Sequence, residues 1–163
     1  MTLERLWAGW RSEYVATAGE ADEANQSGCV LCRVLEEGSY VVWRGERCAA
    51  VLNAYPYTSG HLMVLPVRHA GELEELGGDE AAEVWGGVAD AVRAVKAAYT
   101  PDGLNVGVNL GRAAGAGVVG HFHVHVLPRW NGDTNFMTAL AETRVLPESL
   151  SSTHERLCAA WPS

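Results

Sequence analysis

Three histidines alternate with apolar residues in the run HFHVHV, at positions 121, 123 and 125. Side chains in a strand alternate faces, so the three imidazoles share one face while Phe122, Val124 and Val126 take the other. Same-face neighbours lie ~6–7 Å apart along a strand, which separates His121 from His125 by about 13 Å. A single metal ion with ligand bonds of ~2 Å cannot reach all three unless the strand bends. The histidines are therefore expected to divide their roles. One end can serve a metal, and the middle residue stays free as a nucleophile or base.

Two further clusters sit near this run. Gly111, Gly115, Gly117 and Gly120 precede it within ten residues. Glycine lets backbone N–H groups close on an anion, so this loop reads as a phosphate cradle beside a histidine that can attack phosphorus and carry the group covalently. Upstream lies Cys29-Val-Leu-Cys32. That spacing suits a redox pair or a metal knuckle; a zinc site would need two more nitrogen or sulfur ligands.

These groups need a scaffold, and the hydrophobic pattern outlines one. Leu3, Leu6, Trp7, Trp10, Tyr14 and Val15 recur at helical spacing over 3–17, and an acidic, small-residue loop follows. Segments 40–44 and 47–53 are rich in β-formers and read as a hairpin, with a turn-rich loop at 53–60. Residues 61–66 form a buried strand candidate. Val84, Val88, Val92, Val95 and Tyr99 predict a long helix over 79–99. Strands are expected at 104–109 and 122–127, and a terminal helix at 149–161. The order, with its short connections, predicts an α+β fold: an antiparallel sheet of about five strands with helices packed on it.

Composition bounds the function. The 163 residues, 48% apolar and 20% charged, suit one globular domain with a sizeable core. The net charge of −8 disfavours a nucleic-acid polymer as partner, because that affinity comes mostly from basic side chains, and any phosphate must be met by a local site. No run of apolar residues is long enough to span a membrane, and the first ten residues carry charge early without an apolar signal core; a cytoplasmic location is expected.

The run His121-Phe-His123-Val-His125-Val-Leu127 resembles the histidine-triad signature. NAYPYTSGHLMVLPVRH at 53–69, NLGRAAGAG at 109–117 and LPRWNGDTNFM at 127–137 extend the likeness. It covers a core of about 29–137, with helical extensions on either side. With LWAGWRSEY near the start, the chain is similar to the bacterial branch of diadenosine polyphosphate phosphorylases and hydrolases. The resemblance implies that His123 attacks the α-phosphorus to give a nucleotidyl-histidine, and that His125 donates to the phosphate or bridging oxygen. It implies that Asn53 meets the ribose and that Asn109 lies near the phosphates. Gly117 stands where many relatives carry Gln or Ser, so backbone N–H groups at 111–120 and Arg112 are expected to replace that contact. The vacant position and the branch favour phosphate over water as acceptor. Trp130 is the aromatic that could stack on a base.

The resemblance also implies a structural Zn2+ held by Cys29, Cys32, His69 and His121, and a homodimer. The implied substrate is a dinucleoside polyphosphate or a mononucleotide. A nucleoside phosphoramidase, another nucleotidyltransferase, and a catalytically silent nucleotide-binding regulator are the alternatives. Cys48 and Cys158 read as ordinary buried residues, His61 as structural and His154 as a surface residue. The remaining tryptophans, Trp43, Trp85 and Trp161 among them, read as core or interface.

Overall fold

The computed structural model describes residues 28–133 and 148–163. The helix expected over 3–17 lies outside the described residues. Helix α1 (Val30–Glu37) leads into strands β1 (Val41–Arg44), β2 (Cys48–Leu52) and β3 (Leu62–Pro66). Then come helix α2 (Gly78–Tyr99), strands β4 (Gly103–Val108) and β5 (Val124–Arg129), and helix α3 (Leu150–Ala160). The five strands form one antiparallel sheet in the order β1-β2-β3-β5-β4. The expected α+β architecture is the observed one.

The period-2 pattern of the central strands sorts the core into two layers. Cys48, Ala50, Leu52, Leu62, Val64, Val124 and Val126 face α2, where they meet Val84, Val88, Ala91, Ala94 and Val95. Ala49, Val51, Met63 and Leu65 face the other way and meet Leu31 and Leu35 of α1. Both faces are covered, so every residue of β2 and β3 is buried and these strands read as continuous apolar runs. Gly87 of α2 fits this layer because a Cβ there would stand 3.2 Å from Val64.

Sequence reading missed α1, because a Cys-x-x-Cys pair draws attention to chemistry and the segment is only eight residues long. Its apolar residues Leu31 and Leu35 are four apart, and it ends on Gly38 in the left-handed conformation (φ 70°). Strand β5 runs 124–129 rather than 122–127, past Pro128. Strand β3 pairs with β5 only at Val124–Val126. Beyond that point β5 has β4 alone as neighbour, so a residue without N–H breaks no ladder on the β3 side. Thr58 instead donates its hydroxyl to the Pro128 carbonyl at 3.1 Å.

Two further expectations are corrected. Cys158 is exposed rather than buried, with Sγ 3.4 Å from His154 Nε2. His154 is half-buried and its Nε2 bonds the Val41 carbonyl at 2.9 Å, tying α3 to β1. Trp85 is 51% exposed on α2, whereas Trp43 and Trp161 stack on each other at 5.5 Å. Among the described residues no helix is long and apolar enough to cross a membrane.

Candidate functional site

The histidine run begins before β5. His121 and His123 precede the strand and His125 lies within it, on the face opposite Val124 and Val126. Because the chain is not yet in the sheet at 121, that imidazole can turn away from the other two.

His121 turns to the cysteines. Its Nδ1 lies 3.4 Å from Cys29 Sγ and 3.5 Å from Cys32 Sγ, and Cys32 Sγ lies 3.4 Å from His69 Nδ1. All four ligand atoms fall within 4.8 Å of one another. A tetrahedral zinc with bonds of ~2.3 Å to sulfur and ~2.0–2.1 Å to nitrogen spaces those atoms ~3.5 Å apart along an S–N edge. The cluster therefore has the size of such a site. The donor chemistry fits as well. His121 Nε2 lies 2.9 Å from the Pro66 carbonyl, which can only accept, so the proton sits on Nε2 and Nδ1 is free to ligate. Burial pushes the His121 imidazole down to about 4, keeping it neutral. Burial and the neighbouring Cys29 push the Cys32 thiol up to about 11, the cost a positive ion would remove. The four residues come from three stretches: both cysteines from the start of α1, His69 from the loop after β3, and His121 from the approach to β5. This Cys2His2 group could hold a metal ion.

His123 is 5% exposed, and its Nδ1 lies 2.7 Å from the His121 carbonyl. The carbonyl accepts the Nδ1 proton, so the lone pair of neutral His123 is on Nε2. One residue beyond the Val108–Val124 pair, Asn109 stands on the neighbouring strand's extension opposite His123. Its amide donates to the Gly115 carbonyl at 3.3 Å.

His125 meets His61, which sequence reading took for a structural residue. His61 Nε2 lies 2.9 Å from His125 Nδ1, and the backbone N–H of Tyr57 donates to His61 Nδ1 at 3.2 Å. A backbone N–H can only donate, which assigns the His61 proton to Nε2 and makes His125 Nδ1 the acceptor. His125 then carries its own proton on Nε2. Burial, and after it the neighbouring His123, push His125 down to about 4. A neutral imidazole with a fixed donor nitrogen is suited to donate a hydrogen bond to an oxygen on which negative charge develops. His61 reaches His125 because it sits two residues before Met63, the partner of His125 across β3 and β5, a pairing that only the folded sheet reveals.

Asn53, at the end of β2, reaches the same corner. Its Oδ1 accepts from the Tyr55 N–H at 2.9 Å, and its amide nitrogen is 3.5 Å from His61 Nε2. The glycine-rich segment forms a 3-10 turn over Arg112–Ala114 between Gly111 (φ 75°) and Gly115 (φ 91°). Three of its N–H groups, those of Ala114, Gly115 and Ala116, bond carbonyls of the same turn. This narrows the expected cradle to its remaining donors, with Arg112 exposed and Gly117 half-buried. The structure does not bring Trp130 to the histidines. Its ring lies edge-on to Tyr99 of α2, 6.4 Å away, on the face of the sheet that carries α2. Strand alternation explains this: 126, 128 and 130 share a side, and 123 and 125 take the other.

Comparison with known proteins agrees with this geometry. The chain is 41% identical over 165 residues to the AP-4-A phosphorylase of Mycobacterium tuberculosis, covering 98% of this chain and 85% of that protein. A hypothetical histidine triad nucleotide-binding protein from Sulfolobus tokodaii superposes with a TM-score of 0.68 at 30% identity, over 81% of this chain and 91% of its own. A Zn-bound histidine triad family protein from Mycobacterium smegmatis superposes with a TM-score of 0.67 at 28% identity, over 83% and 94%. The HIT domain model matches residues 34–132, the stretch that holds the histidine run, His61, His69 and the glycine loop, and the chain belongs to that family.

Proposed function

We propose that the protein cleaves dinucleoside polyphosphates of the diadenosine tetraphosphate type by two-step nucleotidyl transfer. The observation that carries this reading is the paired tautomer of His123 and His125. His123 offers an Nε2 lone pair because the His121 carbonyl holds its Nδ1 proton, and His125 beside it offers an Nε2–H. In the first step His123 Nε2 attacks the α-phosphorus, and a P–N bond forms as the P–O bond to the leaving nucleotide breaks. The His125 Nε2–H donates a hydrogen bond to the departing oxygen, which leaves as a phosphate anion. In the second step an anionic oxygen of the acceptor phosphate attacks the same phosphorus, the P–N bond breaks, and His123 leaves as the neutral imidazole with its Nδ1 proton still held by the His121 carbonyl. Asn53, Asn109, Gly111, Arg112 and Gly117 line the nucleotide and its phosphates. The 41% identity to an AP-4-A phosphorylase supports phosphate as the acceptor. The glycine-rich loop is then the region that must meet a second anion in a chain of net charge −8.

The same reading places one zinc ion on Cys29, Cys32, His69 and His121. Filled by four protein ligands, it supplies rigidity rather than an open coordination position. The molecule acts as a cytoplasmic homodimer, which the unpaired outer edge of β4 supports, with Val106 44% exposed there.

The test is turnover of diadenosine tetraphosphate with labelled inorganic phosphate. Phosphorolysis yields ATP and labelled ADP. AMP with ATP and no label in ADP rejects phosphorolysis, and no turnover of any dinucleotide rejects the whole reading in favour of a nucleotide-binding regulator.

A further inference from the structure

Four rings run in sequence along one end of the site. His123 and His125 meet edge to face at 4.9 Å, and His125 and His61 lie 5.1 Å apart. Tyr57 stacks on His61 at 5.0 Å with 28° between the planes, and lies 6.4 Å from His125. Tyr57 is 37% exposed while His61 is 1% exposed, so the phenol covers the histidine and turns its remaining surface to solvent. Its mount is rigid. The Tyr57 N–H bonds His61, the His61 N–H bonds the Thr58 carbonyl at 3.2 Å, and Thr58 bonds Pro128. Gly60 allows the turn with φ +85°, where a Cβ would fall 2.9 Å from the Tyr99 ring.

The segment from Asn53 to His61 carries two tyrosines and a proline and no lysine or arginine. It has no cation to pair with phosphate, but it offers a fixed aromatic surface. Bases stack on such surfaces with little regard to identity. In the reaction proposed above the bond breaks at His123 and the leaving nucleotide departs past His125, which is the direction of Tyr57. We propose that Tyr57 determines specificity for dinucleotides by stacking on the base of the leaving nucleotide. The inference rests on the dinucleotide-cleavage reading and names the residue that recognises the distal half of the substrate.

The experiment compares kcat/KM of the parent, Tyr57→Leu and Tyr57→Phe on two substrates with the same adenylyl half. One is diadenosine tetraphosphate; the other is adenosine 5′-phosphoramidate, whose leaving group has no base. The ratio of the two values falls on the order of tenfold in Tyr57→Leu, through KM of the dinucleotide, and is retained in Tyr57→Phe. An unchanged ratio in Tyr57→Leu overturns the proposal, whether both activities stay or both fall together. If the parent turns over neither substrate, the catalytic reading has failed on its own. The stack is then decided by binding of 1,N6-ethenoadenosine triphosphate, whose fluorescence is quenched by the parent and less by Tyr57→Leu. Equal quenching by the two proteins, or none by the parent, overturns it.

Discussion

His121 and His125 stand four residues apart, and burial pushes both imidazoles down to about 4, yet they meet different neighbours. His121 offers its Nδ1 to two sulfur atoms and gives its Nε2 proton to a carbonyl. His125 accepts at Nδ1 from another imidazole, which is itself held by a backbone N–H. The pattern of acceptors and donors around each ring, rather than its ionisation, leaves His121 a free Nδ1 lone pair beside two sulfurs and His125 an Nε2–H hydrogen-bond donor. Between them His123 borrows from the first site, since the carbonyl of His121 holds its Nδ1 proton. The Cys2His2 group and the His123–His125 pair thus share one residue, with its side chain in one and its carbonyl bonded to the other.

Substitutions can break this division at graded cost. The largest effect is expected at His123, where His123→Ala removes the proposed nucleophile. Its turnover falls by at least about three orders of magnitude, while its circular dichroism and unfolding midpoint stay near the parent's. Activity within tenfold of the parent would reassign the nucleophile.

At the other end, Cys29→Ser or Cys32→Ser is expected to lower bound zinc from one per chain and to drop the melting temperature on the order of 10 °C. Elemental analysis and calorimetry read the two quantities separately. A protein purified without chelator that holds no zinc and melts at the parent temperature contradicts the metal assignment.

His61→Phe keeps a ring beneath Tyr57 but takes away the donor to His125. A loss of about tenfold in kcat is expected, with a shift of the His125 proton towards a mixed tautomer, seen in 15N chemical shifts. An undisturbed tautomer would mean that His125 is oriented by something other than His61.

The smallest effect is a pH dependence. An imidazole at about 4 in the folded chain, against ~6.5 when unfolded, leaves the unfolded chain with more bound protons between those values. Its contribution to stability is full above pH ~6.5 and is lost as pH falls towards about 4. In His125→Gln the decline of unfolding free energy across that window is shallower than in the parent. Equal slopes in urea titrations from pH 7 to pH 4 would remove burial of His125 as the cause.

The elements that were legible beforehand are those whose own residues carry the signal. The alternation at 121–126 and the helical spacing of Val84, Val88, Val92 and Val95 each report one element's burial, and both were read within two residues of their observed limits. Gly38 and Gly60 did not disclose their purpose, because a left-handed turn matters only through what it sets face to face. Trp130 was legible as an aromatic next to the histidine strand, but strand parity sends it to the opposite face, against Tyr99.

Residue types and spacing alone marked out an alternating run of histidines, a Cys-x-x-Cys pair and a sheet to carry them. Those properties are local, set by side-chain chemistry and by the periods of strand and helix. Only the tertiary structure decided which groups meet. His61 comes to His125 across the β3–β5 pairing, 64 residues apart in the chain, and Cys29 comes to His121 across 92. Hydrogen-bond roles and metal-site geometry depend on distances of about 3 Å between such remote residues, and no spacing along the chain encodes them.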